Sequence, residues 1–278
     1  MVERMQKNKK DSESVPLLEV KNVTFKRDGR YILKNVSFSL HKGNIVAVMG
    51  PSGTGKTTLL SLINALIKPD SGKILFKGID MHELSLKDLY KVRSEIGHMF
   101  QNGALFSHLS VFDNVAFPLR ENTNLTDDMI RDLVTLKLEA VGLRGVATKM
   151  PEQLSGGMAR RVALARSTAL DPELMLYDEP FTGQDPISSG VLTTSIMKMR
   201  DILNLTSIIV THDLQAVTKV ADVVHIIGSG EILASGSVAE ILSSTDPAVV
   251  QFVSGAADGV IPFHYPTDKT LTQDLIYA

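Results

Sequence analysis

The 278-residue chain is predicted to be an α/β protein built on a mostly parallel core sheet, with an N-terminal antiparallel β piece and an inserted helical subdomain. Three observations carry that prediction. The apolar run Asn44-Ile-Val-Ala-Val-Met49 leads directly into Gly50-Pro51-Ser52-Gly53-Thr54-Gly55-Lys56-Thr57-Thr58 and then into the helix-like Leu59-Leu60-Ser61-Leu62-Ile63. From Leu174 onward, short apolar runs alternate with stretches of helical spacing, which is the pattern of parallel strands joined by crossover helices. Between Asn102 and about Leu170 the pattern is helical.

Taken in order, residues 1–16 carry Lys7, Lys9 and Lys10 among polar neighbours and are expected to form a disordered lead. One domain is expected over residues 17–254. Leu17 to Phe25 and Val36 to Leu40 alternate like strands across the turn Asp28-Gly29-Arg30, so a hairpin precedes the central strand, and a base would sit there. Pro69-Asp70-Ser71-Gly72 turns the chain into the strand Lys73 to Phe76; Leu86 to Arg93 is helical, and Ile96 to Phe100 is a second central strand ending at Gln101. In the helical stretch, residues 102–170, Thr126 reads as an N-cap ahead of Asp127 and Asp128, and Met129, Ile130, Leu133, Val134, Leu136 and Val141 recur at mostly helical spacing until Gly142. Leu174 to Tyr177 and Thr206 to Val210 are buried strands, and Ile187 to Leu203 and Leu214 to Val220 are helices. Val223 to Ile227 and Glu231 to Ala234 form a hairpin expected to close the fold before residue 236. Residues 255–278 contain Val260, Ile261, Phe263 and Tyr265 among prolines and glycines, so this tail is expected to dock on the domain, a second copy or another subunit.

With 44% apolar residues the chain has material for a well-buried core, and its net charge of −2 with 5% aromatics and no Trp speaks against a nucleic-acid partner. The absence of Cys excludes disulfides, thiolate zinc sites and thiol catalysis, and suits a reducing cytoplasm. With no run of 18 apolar residues and no apolar leader, the chain is expected neither to span a membrane nor to carry a secretory signal.

Gly50 to Thr58 reads as a phosphate loop, in which backbone N–H groups, a helix N-terminus and the Lys56 ammonium converge on three phosphates while Thr57 ligates Mg²⁺. The strand Leu174 to Tyr177 delivers Asp178 and Glu179 to its C-terminal edge, beside that loop in an open sheet. Asp178 is placed to hold Mg²⁺ through water, and Glu179 to orient or deprotonate the attacking water. A third site is Leu154-Ser155-Gly156-Gly157-Met158, where Ser155 caps a helix whose first-turn glycines expose N–H groups to an anion. One nucleotide does not readily reach both receptors in one subunit.

The order and spacing of Gly50 to Thr57, Gln101, Leu154 to Gly157, Asp178-Glu179 and His212 resemble the ABC-transporter ATPases. That resemblance implies ATP as substrate and a head-to-tail dimer in which Ser155 and Gly157 of one subunit contact the γ-phosphate held by Lys56 of the other. It also implies that Gln101 senses Mg²⁺ and the attacking water and that His212 contacts the γ-phosphate. Phe100 to Phe106, Leu138 to Leu143, Met158 to Arg161 and Asp178 to Pro186 are similar to Mla-type phospholipid-transport ATPases. These work at the cytoplasmic face of the inner membrane of Gram-negative bacteria, which implies a permease dimer, a STAS-domain accessory subunit and an Mce-type lipid-binding ring as partners. Part of the apolar stretches Ala104 to Phe106 and Leu109 to Phe112 would then receive the permease, ordinary core packing being the alternative. Counting back from Val36 puts the adenine-stacking position on Arg27, with Tyr31 and Phe25 as rivals. Met158 stands where the family usually has Gln, and Gln184 where it has an apolar residue; neither carries the phosphate contacts, so activity is expected to survive. An importer ATPase for another solute, or a soluble non-transport ABC protein, are the alternative readings.

Overall fold

The computed structural model describes residues 15–261, so most of the lead at 1–16 and most of the tail at 255–278 lie outside the described residues. Strands β1 (Leu18–Arg27) and β2 (Arg30–Leu40) pair antiparallel across a tight turn at Asp28-Gly29, both at positive φ. The piece is larger than a hairpin. After the phosphate helix, β4 (Ser71–Phe76) returns to the free edge of β1 and β5 (Ile79–Asp80) follows it, giving the order β2-β1-β4-β5. A Cβ at Gly72 would lie 2.4 Å from the Asn22 carbonyl, so glycine is what lets β4 close on β1 at a break in register.

The second sheet has the order β10-β9-β3-β8-β7-β6, with β3 (Ile45–Met49), β6 (Ile96–Met99), β7 (Leu174–Asp178), β8 (Thr206–Val210) and β9 (Val223–Gly228) all parallel. Only β10 (Glu231–Gly236) runs antiparallel to its neighbour. Strands β3, β7 and β8 are buried at every residue, which is why β3, residues 174–177 of β7 and residues 208–210 of β8 read as continuous apolar runs rather than alternating ones. Their two faces nonetheless separate. Val46, Val48, Leu174, Leu176, Ile208 and Val210 pack with Leu18, Val20, Leu33 and Leu40 of the antiparallel sheet and with Leu59 and Leu60 of α1 (Lys56–Ile63). Met175, Tyr177 and Ile209 instead join the helices.

Those helices include α2 (Leu86–Ser94), which flanks the antiparallel side, then α3 (Val111–Asn122), α4 (Asp127–Ala140) and α5 (Gly156–Ser167), then α6 (Pro186–Leu203) and α7 (Leu214–Val220). Each of α2 to α7 starts at a Ser, Thr or Asp whose side chain accepts a backbone N–H, among them Thr126 and Ser155 as the sequence predicts. Val115, Val134, Leu138 and Val162 of the inserted helices lie in one continuous core with Met99, Met175 and Tyr177.

The β9–β10 hairpin does not close the fold. Two further helices follow, α8 (Val238–Leu242) and α9 (Pro247–Ser254), and their Ile241 and Val249 complete a third apolar cluster with Met49, Val217 and Ile226. They are short but well signalled, by a Ser237/Glu240 capping box and by Asp246-Pro247 at the second start. The first residues of the tail turn back on α9: Gln251 accepts from the Ile261 N–H at 2.7 Å and donates to the Ile261 carbonyl at 3.2 Å.

Candidate nucleotide-binding site

The phosphate loop leaves the buried end of β3 at Gly50, where a Cβ would meet the Ile227 carbonyl of β9 at 2.1 Å, so only glycine passes. Pro51, Ser52, Gly53 and Thr54 form the turn, held by the Thr54 hydroxyl donating to the Pro51 carbonyl at 2.9 Å. Gly55, at φ +93°, opens α1 with no side chain capping it, so the first N–H groups of this helix face the loop's concavity uncommitted to a cap. Lys56 is 7% exposed, and its ammonium donates to the carbonyls of Gly50 at 2.8 Å and Pro51 at 2.7 Å. Burial pulls its pKa below the usual lysine value, while the nearby carboxylates of Glu179 and Asp178 oppose that shift. Thr58 follows half-buried on the same helix.

The end of β7, one strand beyond β8, supplies the carboxylates. Asp178 is 4% exposed and its Oδ1 accepts from the Thr57 hydroxyl at 3.1 Å. Burial raises its pKa, the Thr57 bond lowers it, and the Glu179 charge raises it. Thr57 and Asp178 thus present two hard oxygens side by side. Among the described residues no group of three His, Cys, Asp or Glu is arranged around a metal. That donor set fits Mg²⁺, which takes its other ligands from phosphate oxygens and water.

Glu179 takes a left-handed backbone conformation, φ +48°, which costs energy in a non-glycine residue and is held by its surroundings. Its N–H donates to the Val210 carbonyl at 2.8 Å. Its Oε2 accepts from the hydroxyls of Thr182 at 2.8 Å and Thr211 at 3.3 Å, and its Oε1 lies 3.1 Å from His212 Nδ1. The loop behind it is grasped by Arg160 of α5, whose Nη1 donates to the carbonyls of Glu179 and Pro180, both at 3.0 Å, and whose Nη2 donates to the Thr182 carbonyl.

The fold therefore brings together Lys56, Thr57, Asp178, Glu179 and His212. Gln101 stands exposed on the turn after β6 and makes no hydrogen bond to either carboxylate. Ser155 caps α5, accepting from the Met158 N–H at 3.3 Å, and Gly156 stands in open space. Gly157 lies where a Cβ would meet the Ser188 hydroxyl of α6 at 2.7 Å. No hydrogen bond among the described residues links Ser155, Gly156 or Gly157 to the phosphate loop of the same chain. At the base-binding end, Phe25 packs into the core, whereas Arg27 and Tyr31 are exposed and the Lys26 ammonium sits 4.5 Å from the centre of the Tyr31 ring. Tyr31 adjoins Ile32, whose carbonyl a Cβ on Gly55 would meet at 2.8 Å.

Sequence reasoning missed Arg160, Thr182 and Thr211. Thr211 was legible as the hydroxyl next to His212. Arg160 was not, because nothing local shows which carbonyls a helical Arg will reach.

A phosphate loop on the central strand, a carboxylate pair two strands further on and a separate capped helix opening on two glycines together define an ATP-binding cassette. The chain belongs to the ABC transporter family, whose pattern matches residues 33–182. It is 54% identical over 250 residues to the intermembrane phospholipid transport system ATP-binding protein MlaF of Haemophilus influenzae, covering 90% of this chain and 95% of that protein. It is 49% identical to MlaF of Escherichia coli K12, covering 90% and 93% of the two chains. It is also 38% identical to a probable ribonucleotide transport ATP-binding protein, mkl, of Mycobacterium leprae, covering 91% of this chain and 73% of that one. Among solved structures, the dimeric post-hydrolysis state of the ATP-binding cassette MJ0796 bound to ADP and Pi matches with a TM-score of 0.74 at 30% identity, covering 80% of this chain and 98% of that one. The cbiO1 subunit of the cbiONQ ABC transporter complex of Clostridium perfringens matches with a TM-score of 0.77 at 31% identity, covering 88% and 96%.

Proposed function

We propose that this chain is the ATP-hydrolysing subunit of an ABC complex that moves phospholipids between the inner and outer membranes and so maintains outer-membrane lipid asymmetry. The observation that carries the lipid assignment is the 54% identity, over nearly the whole chain, to the ATP-binding protein of an intermembrane phospholipid transport system. The more distant relative named for ribonucleotide transport supports an importer ATPase less well, at 38%.

The residues act as follows. The loop from Gly50 to Thr58 wraps the phosphates in backbone N–H groups, and Lys56 places its charge on the outer ones. Thr57 and Asp178 would hold Mg²⁺, which would supply neutralisation of the charge on the phosphate oxygens. The Glu179 carboxylate takes the proton of the attacking water, its Oε2 held by the Thr182 and Thr211 hydroxyls and its direction fixed by His212 Nδ1, which lies 3.0 Å from Oε2 and 3.1 Å from Oε1. Ser155, Gly156 and Gly157 complete the site of a second copy in a head-to-tail dimer, and Gln101 is the contact from the outer strand to the ion and water. Arg27 or Tyr31 stacks on the adenine. The proposed complex adds a permease dimer, a STAS-domain subunit and an Mce-type lipid-binding protein, with this chain peripheral on the cytoplasmic face of the inner membrane. Among the described residues no helix is long and apolar enough to cross a membrane.

Two variants test the chemistry. Lys56→Ala is expected to lose hydrolysis at least ~100-fold, because the charge on the outer phosphates is removed, while the chain still folds with a somewhat lower melting temperature, because the bonds to the Gly50 and Pro51 carbonyls are lost as well. Glu179→Gln is expected to lose hydrolysis while ATP still drives dimerisation; wild-type turnover in either variant overturns its role. Isolation of the complex from detergent-solubilised membranes, with lipid analysis of what co-purifies, tests the substrate: a permease without phospholipid refutes the lipid reading.

A further inference from the structure

Arg160 lies one turn into α5, directly behind the anion-receptive residues Ser155 to Gly157, and none of its contacts serves that end of the helix. Its guanidinium reaches across to the loop after β7 and donates to three carbonyls there, those of Glu179, Pro180 and Thr182. A second tie closes the same loop, the Gln184 amide donating to the Pro180 carbonyl at 2.9 Å. The loop needs such restraint. Glu179 sits in a left-handed backbone conformation that an L-residue adopts only under constraint, and relaxing it would swing the carboxylate away from Thr211 and His212.

We propose that Arg160 is a positioning residue for hydrolysis: by clasping the backbone of residues 179–182 it fixes the Glu179 carboxylate toward the water and ties that carboxylate to the nucleotide-facing end of α5. The assignment rests on Glu179 being the group that takes the water's proton. A planar fork with donors on two nitrogens matches carbonyls spread along a bent loop, whereas a single ammonium satisfies fewer of them at once. Engagement of the α5 N-terminus by nucleotide and seating of Glu179 then become one mechanical event, since Arg160 belongs to the same rigid helix as Gly156 and Gly157.

The test uses the full chain and measures steady-state ATP hydrolysis, equilibrium ATP binding and melting temperature. Arg160→Met is expected to lower kcat by about 10- to 100-fold, with KM and ATP affinity within about threefold of wild type, and Arg160→Lys to fall between the two. Put into Glu179→Gln, Arg160→Met is expected to reduce the residual rate by less than about twofold, since it acts through the group already disabled. A wild-type kcat in Arg160→Lys overturns the three-carbonyl clamp, as does an undiminished effect in the Glu179→Gln background. If Arg160→Met does not fold, Arg160→Lys decides alone: lowered kcat at unchanged KM supports the clamp, and unchanged kcat refutes it. If Glu179→Gln itself hydrolyses ATP normally, the reading of Glu179 fails rather than the clamp.

Discussion

Buried ionisable side chains divide here into those the chemistry uses and those it does not. Lys56 and Asp178 are ionisable groups only 7% and 4% exposed, each held by hydrogen bonds to neighbours that the sequence spacing already placed beside them. Lys56, Thr57, Asp178 and Glu179 were legible because a loop and a strand end fix them through the backbone. Arg160 was not, because it acts through tertiary reach, and Thr182 was not, because only the bend of the loop after β7 turns its hydroxyl back onto the Glu179 carboxylate three residues earlier. His225 belongs to the second kind: it sits on β9 opposite Val48, its ring 5.0 Å from Phe38, and neither ring nitrogen has a partner. Burial lowers its pKa from 6.5 to about 4, so the unfolded chain takes up the proton first. Stability should therefore be level above about pH 7 and decline as the pH falls from 6.5 toward 4, by roughly 2 kcal/mol at pH 5 from this residue. His98, also lowered by burial to about 4, adds to the same trend. His225→Phe should remove its share of the slope in urea unfolding measured between pH 5 and 7.5; a slope equal to wild type contradicts the assignment.

At the scale of elements, α5 does more than present a helix end. Past Arg160, Arg166 of the same helix donates to the carbonyls of Gly103 at 2.7 Å and Ala104 at 2.8 Å, in the loop just after Gln101. That loop borders a groove of about 430 Å³ lined by His98, Phe100, Phe106, Phe117 and Pro118, in which Phe100 and Phe117 stay 42% and 39% exposed. The sequence singled out this stretch for its excess of large apolar residues, and the structure divides it: Leu105 and Phe112 pack on the core, whereas Phe106 lines the groove. The backbone at Phe106 is held independently of its ring, since buried Asn114 accepts its N–H at 2.8 Å and donates to its carbonyl at 3.1 Å. Phe106→Asp should thus lower the melting temperature by no more than about 4 °C while the permease is lost from the purified complex. A larger drop marks the ring as core. Strands were the most legible elements because β3 and β7 are apolar at nearly every position and β8 ends in Ile208-Ile209-Val210. Helices α8 and α9 were overlooked for want of length, five and eight residues leaving too little periodicity to set against a loop.

For the molecule as a whole, the phosphate loop is made early and walled late. Its strand β3 is hydrogen-bonded on both sides to strands that come much later, β8 and β9, and the back of Gly50 rests on Ile227. From Met49 to Thr206 the ribosome adds roughly 160 residues, which at ~5–20 residues per second occupies about 8–30 s. Throughout that interval Ile45-Val-Ala-Val-Met49 is a bare apolar strand with neither neighbour present. Nascent chains arrested with residues 1–200 outside the ribosome should be cut by protease near residues 45–60 whether or not ATP is added, and ATP protection should appear only once residues through 236 have emerged. Protection by ATP in the shorter chain would show that the loop forms alone. Synthesis order thereby sets a vulnerability that the finished protein no longer displays: cellular yield of active subunit depends on what shields residues 45–49 until β8 and β9 arrive.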